Sequence, residues 1–548
     1  MEPEQEPAAP PSGCACKEGQ RDACGGSFPG YQKRKALFYS MISPFLHCCC
    51  AIVKTDYDSI PLERCDLMRY TRVLAILCAL SLQMGMTAYA AGQHADIGTP
   101  ASLSDKSLPP GPPPDGKMAP PDGKMMPPPG GGQGFQPPDH VTQGTAKTVI
   151  AKNDSLSDRT YTSSGDDENA LRVSGARVSL SNVKILKSGG TSSSTEGGDF
   201  YGMNAAFLAT DKAQVKIRDS AIESNAKNGN ALFSYGRGTA VEARNVKITT
   251  HGDNSGGLQT TGSARMDAQN VTVVTEGNSS AAIRSDRGGG NVHVKKGSFR
   301  TAGYGSPAIY CTAQIAVENA SLAAENSEAA VIEGKNSIAL KNCTLEGNMA
   351  DTRPMGDRTI EEENVHGVML YQSMSGDAEP GKAVFSMEGG SLTAHRGDLF
   401  YVTNTECAIT LKKVVLKAED SSGLFLRVNG NDGERGWGRT GANGGKCTLV
   451  TENQEIAGDI EIDTLSSLDM TLGKGSRFTG SINCMDSRYG TAADSHIAMS
   501  VAKGAVWTLD NDSTVTTLKN EGQINLNGYQ LTVLSENSKA GQQKDIVF

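Results

Sequence analysis

Between residues 205 and 345 one pattern of small, apolar and turn residues returns six times. A chain that repeats itself at a near-constant step is limited to architectures that stack one unit on the next, because no unit buries its apolar face alone. Each return opens with a small residue followed by an apolar one: Ala206-Phe207, Ala231-Leu232, Gly257-Leu258, Ala282-Ile283, Ala308-Ile309 and Ala330-Val331. The apolar members are spaced 25, 26, 25, 26 and 22 residues apart.

A second signature accompanies the openings: apolar-x-apolar-x-turn-x-x-apolar. It reads VSLSNVKI (Val178 to Ile185), VKIRDSAI (Val215 to Ile222), VEARNVKI (Val241 to Ile248), MDAQNVTV (Met266 to Val273), IAVENASL (Ile315 to Leu322) and IALKNCTL (Ile338 to Leu345). Alternation with period two means strands with one inward face. The alternation slips by one at Asn182, Asp219, Asn245, Asn270, Asn319 and Asn342. Asn and Asp tolerate left-handed backbone and bond locally, so this column predicts a sharp turn between two strands. Each repeat is then three short strands and three turns. Stacked at about 4.8 Å, ten such coils make a rod on the order of 48 Å long, with every strand amide paired to the next coil.

Composition agrees. Sixty-three glycines, 5% aromatics and a net charge of -9 suit short strands and tight turns better than long amphipathic helices. The acidic balance argues against a nucleic-acid partner.

The region before the repeats divides in three. Residues 1–67 carry no hydrophobic period and read as an upstream leader, disordered or not translated. CACKEGQRDAC lacks a histidine at ligand spacing and a second CxxC pair, which argues against a zinc site. Residues 68–91 read as a signal peptide: Arg69 and Arg72 form a basic start, Val73 to Met86 is apolar, and Ala88-Tyr89-Ala90 is an A-x-A cleavage site. Residues 92–140 form a Pro/Gly-rich linker with PPDGKM written twice, which favours extended polyproline conformations. The protein is therefore expected to be secreted or held at the cell surface after cleavage near Ala90, with a folded domain over 141–540. Eight of thirteen cysteines precede residue 92; Cys311, Cys343, Cys407, Cys447 and Cys484 remain in the body, too few and too scattered for a disulfide framework. They read as small buried residues, with a bridge between nearby coils left open.

The phi-x-N-x-x-phi turn of these coils resembles that of the right-handed parallel beta-helix, the pectin-lyase-like fold, over roughly Ala146 to Val533. The resemblance implies an all-β solenoid of three-strand coils. That superfold hosts lyases, hydrolases, tailspikes and adhesins, so it implies little about chemistry. Later coils continue it, in VFSMEGGSL (Val384 to Leu392) and ITLKKVVL (Ile409 to Leu416), with openings at Gly367-Val368, Asp398-Leu399 and Gly423-Leu424. The stretch Trp507 to Val533 resembles the C-terminal passenger region of autotransporter adhesins, without the translocating barrel expected to follow it.

Three features bear on function. Galacturonan hydrolases of this fold carry NTD, DD, GHG and RIK; here only Asp166-Asp167 matches, and Val365-His366-Gly367 is the nearest string to GHG. No facing carboxylate pair for acid–base work can be assigned. A turn column of Glu223, Asp253, Glu276, Glu325, Glu346 and Glu419 would form an acidic stripe able to attract calcium, or serve as polar turn chemistry. Two insertions, Tyr371 to Lys382 and Asn429 to Lys446, lie two coils apart and would flank a groove about 10 Å wide over the turn at Asn404. The second holds Asp432, Glu434, Arg435, Trp437 and Arg439, hydrogen-bonding and stacking residues suited to a sugar ring.

These readings combine into a monomeric secreted or surface-held adhesin-like protein that needs no cofactor, calcium being the one ion its acidic stripe could attract. It binds an extracellular glycan or a host or cell-surface ligand. The alternatives are a carbohydrate-binding solenoid and a polysaccharide lyase or hydrolase with a cryptic site.

Overall fold

The computed structural model describes residues 141–355, 357–433, 435–485, 496–534 and 546–547. The leader, signal peptide and linker over 1–140 lie outside the described residues, as does Glu434.

The described chain is all-β and winds as a parallel β-helix. One side is a 13-stranded sheet of short opening strands running from Val149–Ile150 to Ile482–Met485, every neighbouring pair parallel. The rest of each regular coil is one long strand, such as Gln214–Ser224, Ala240–Thr250 or Ala264–Thr275, stacked in register on its like in the next coil.

Each long strand is two strands joined at a bend. In Gln214–Ser224, Val215, Ile217 and Ile222 point inward, and Arg218 and Asp219 are exposed in succession, which is the slip of alternation. The backbone there is left-handed, with φ of 52° at Asn182, 49° at Asp219, 52° at Asn245, 54° at Asn270, 55° at Asn319 and 51° at Asn342. The side chains form a ladder between coils: Asn182 Nδ2 donates to Asp158 Oδ1 at 2.6 Å, Asn245 to Asp219 at 2.8 Å and Asn270 to Asn245 Oδ1 at 2.8 Å. Lys296 (φ 63°) fills the column in the strand Gly290–Thr301, a coil whose signature the Asn/Asp pattern passes over.

The inward columns join into one apolar core from Leu156 to Leu531. The opening strands differ from the long ones because both their faces are buried, as in Ala330–Glu333, His366–Tyr371 and Asp398–Thr403. Without alternation, sequence cannot set their phase. The register pairs Ile309 with Ala330, Val368 with Phe400 and Phe400 with Leu426, so the inward column is Ala330, Phe400 and Leu426 rather than Val331, Leu399 and Leu424. Val331 instead faces outward and packs with Met369, Tyr371 and Tyr401.

The outer face of the opening sheet is roofed by four excursions. A short helix, α1 (Thr195–Tyr201), is capped by Ser194, whose hydroxyl accepts from Gly197 N at 3.0 Å, and ended by left-handed Gly202. It is held by Gln259 Nε2 on Asp199 O (3.0 Å) and Thr261 Oγ1 on Phe200 O (2.6 Å). The others are insertions at 348–365, 372–382 and 429–445. The first contains the antiparallel hairpin of Thr352–Met355 and Arg358–Glu361.

Candidate functional site

The insertion at 348–365 leads into the start of the opening strand His366–Tyr371, and that at 429–445 leaves the end of the opening strand Leu426–Val428. They meet above the outer face of Asp398–Thr403. Arg435 donates from Nη2 to Glu362 Oε1, an oxygen that also accepts from Tyr304 Oη at 3.0 Å. Backbone N–H of Asp432 donates to Glu363 Oε1 at 2.8 Å. Burial beside Glu362 pushes the Tyr304 phenol up to about 12.

Between them lies a cleft of about 700 Å³ walled by Arg353, Arg358, Glu362, Asp432, Arg435 and Trp437, with His366 and Tyr401 at its base. The Trp437 indole stands edge-on to Tyr371 (centroids 5.1 Å apart) and the Arg435 guanidinium lies 5.3 Å from its ring centre. The loop carrying it is ordered from inside. Buried Asn431 and Asn443 both donate to Trp437 O, at 3.0 and 3.2 Å. The cleft is thus preformed rather than gathered by a mobile loop.

His366 is 2% exposed, lies tilted at 41° against the Tyr401 ring with centroids 5.0 Å apart, and contacts Asn364 Oδ1 through Nδ1 at 2.9 Å. Its Nε2 has no hydrogen-bond partner and lies 3.7 Å from Glu328 Oε1. Burial holds its pKa below the usual histidine value and favours the neutral ring, against the pull of Glu328 and Asp398. Asp398, in register with His366, accepts from Asn364 Nδ2 at 2.8 Å and from Arg427 Nε at 2.6 Å.

Of the residues singled out in the sequence, Asp432, Arg435 and Trp437 line this cleft. Arg439 is exposed and does not line the cleft, and Asn404 lies beneath the loop, with Nδ2 donating to Gln372 O at 2.6 Å. Gly438 is required there. A Cβ on its left-handed backbone (φ 76°) would come within 2.3 Å of Asn404 Oδ1. Trp437 packs on Tyr371 at the root of the 372–382 loop, and the Asn404 turn beneath Gly438 binds Gln372, so the open space lies against the 348–365 hairpin, not between those two loops. The hairpin residues carry no stacking or apolar pattern in the sequence; its one legible signal is the long gap between Leu345 and Val368.

The acids of the turn column already have partners within the protein. His251 lies 3.9 Å from Glu223 and 2.7 Å from Glu276; Arg300 pairs Glu325 at 2.5 Å; His395 sits between Glu346 (3.8 Å) and Glu419 (2.8 Å). Lys417 and His395 hold the Glu419 carboxyl down to about 2. Asp253 accepts a backbone N–H from Asn278. Among the described residues no group of three or more His, Cys, Asp or Glu is placed to hold a metal ion. Asp166 and Asp167 accept from the backbone of Thr191 and Ser193, each at 2.7 Å, and so cap the approach to α1.

Two further buried polar centres lie under the roof. Glu333, 1% exposed, accepts from Tyr310 (2.7 Å), Tyr371 (3.0 Å) and Ser373. Arg284 bridges Asp199 (3.0 Å) and Asp286 (2.8 Å), all nearly excluded from water. Burial and the second carboxylate push Asp286 up to about 7. No family model, curated protein or solved structure matches the chain.

Proposed function

We propose that this chain is an adhesin-like β-helix protein of the pectin-lyase-like type, secreted or held at the cell surface, that binds a glycan in the cleft between the 348–365 and 429–445 insertions. The observation that carries the reading is the pairing of Trp437 with Arg435, Glu362 and Asp432 around a preformed hollow of about 700 Å³. Sugars present apolar faces ringed by hydroxyls, and an indole beside fixed, charged hydrogen-bonding groups suits both surfaces. The volume falls within the range of about 300–1,000 Å³ common for small-molecule sites. The regular coils are scaffold, and the excursions from it carry the site. Glycan-array screening followed by titration calorimetry tests this: Trp437→Ala should weaken the best ligand tenfold or more. Unchanged affinity in that variant removes the cleft from the reading.

A second reading, hydrolysis or lysis of an acidic polysaccharide, is favoured by one observation: His366 is held neutral by burial beside Glu328 and Asp398 at the base of the same cleft. Neutral imidazole is the form that accepts a proton. Release of reducing or unsaturated ends from a polysaccharide panel, lost in His366→Ala, would replace binding with catalysis as the function.

A further inference from the structure

Cys407 and Cys447 stand directly opposite each other on the neighbouring parallel strands Glu406–Lys412 and Lys446–Glu452. Both point into the core, at 0% and 2% exposure. Contact with Cys447 is the first cause holding the Cys407 thiol well above its usual pKa, followed by burial. Adjacent strands lie about 4.8 Å apart, inside the Cα separation of about 4.4–6.8 Å that a disulfide spans. Cys311, Cys343 and Cys484 have no cysteine opposite them in the register: Cys311 faces Ile332, Cys343 faces Gly390 and Cys484 faces Ile462.

The geometry points to Cys407 and Cys447 as an oxidation site that closes an inter-coil disulfide at the root of the 429–445 insertion. Cys447 is the second residue of the strand into which that insertion returns, and Cys407 holds the same place one coil below. The bond therefore encloses the whole insertion and fixes its returning end to the coil beneath the cleft. Chemically, two S–H bonds break and one S–S bond forms. The two protons and two electrons pass to a small disulfide oxidant such as oxidised glutathione, whose own S–S bond breaks to give two thiols. Because both sulfurs are sealed in the folded core, exchange takes place as the coils close rather than afterwards.

The test is peptide mapping of the full chain refolded from denaturant in a glutathione buffer containing the oxidised form, alkylated under denaturing conditions and digested without reductant. Trypsin places Cys407 in the peptide 397–412 and Cys447 in 447–474, each with no other cysteine. The expected product is these two peptides joined, two hydrogens lighter than their sum, with Cys311, Cys343 and Cys484 alkylated. Refolding with reductant in place of the oxidised form should lower the urea midpoint relative to this sample and speed proteolytic cleavage within 429–445 at least threefold. It should do neither in the Cys407→Ala/Cys447→Ala chain. Alkylated Cys407 and Cys447 in the wild-type digest, or their pairing with other cysteines, overturns the proposal whatever the variant does.

Discussion

Arg435 closes on Glu362, 73 residues away in the chain, across the roof of the opening sheet and so joins two insertions. The Glu362 side chain is 4% exposed and that of Arg435 27%, so the pair works with little help from solvent. Removing the guanidinium leaves Glu362 with Tyr304 at 3.0 Å and Arg353 at 3.8 Å. Arg435→Ala should cost the insertions about 1–3 kcal/mol of local stability, the usual cost of losing a hydrogen bond to a charged, largely buried group. Protease should cut within 429–445 faster while the main thermal transition stays put. A lowered main transition with unchanged cleavage would mean that this contact supports the solenoid instead of the cleft.

The Asn column offers a gain rather than a loss. Lys296 holds φ at 63° where the neighbouring coils use Asn270 (54°) and Asn319 (55°). Lysine meets the steric penalty of left-handed backbone without the local hydrogen bonds that asparagine supplies. Lys296→Asn should therefore raise stability by about 0.5–1 kcal/mol, read as a higher urea midpoint at unchanged slope. A neutral or lowered midpoint would show that the adjoining Gly297 already relieves the bend.

That column was also what made the fold legible. Where alternation slips at an Asn or Asp, sequence gives the bend, the inward residues and the coil length together. The opening strands carried less information because their outer faces are roofed. Val331, Met369 and Tyr401 look like core residues, and do pack against apolar neighbours, but outside the solenoid wall. The site was half legible for a related reason. Trp437, Arg435 and Asp432 stand out in a glycine-rich loop, whereas their counterparts Glu362 and Glu363 sit in a charged run that reads as solvated until the hairpin folds it back. Glu333 and Asp286 could not be found at all, since a buried carboxylate has no signature before its partners Tyr310, Tyr371 and Arg284 are in place.

The pH dependence of stability should follow Asp286. One guanidinium, Arg284, faces two buried carboxylates, and burial raises the pKa of both Asp199 and Asp286. With Asp286 at about 7 in the fold against 3.8 for an ordinary aspartate, the native state binds more protons than the unfolded chain between those values. Stability therefore falls as pH rises from about 4 to about 7 and levels off above. Asp286→Asn removes the Asp286 share of this dependence and leaves Arg284 paired with Asp199. Urea titrations at pH 5 and pH 8 should show the variant gaining on wild type at the higher pH, by on the order of 1–3 kcal/mol. Equal gaps at both pH values would sink this assignment.

The C-terminal coils should fail separately from the rest. Trp507 is fully buried, stacks on Phe478 (centroids 5.9 Å apart, rings 16° from parallel), and donates from Nε1 to Gly480 O at 3.0 Å. Trp507→Ala opens a cavity and strands that carbonyl, for about 3–5 kcal/mol. In a solenoid each coil is stabilised mainly by its neighbours, so the loss stays near its source. Hydrogen exchange should quicken in Arg477–Thr479, Val506–Thr508 and Gln523–Asn525, the strands stacked around the vacancy, and hold steady at Ile309–Cys311. Trp437 remains in this variant as a fluorescence probe of the cleft, and its emission should not shift if damage is confined to the end. Uniformly faster exchange along the chain would instead make the coils one cooperative block, coupled through the continuous core from Leu156 to Leu531.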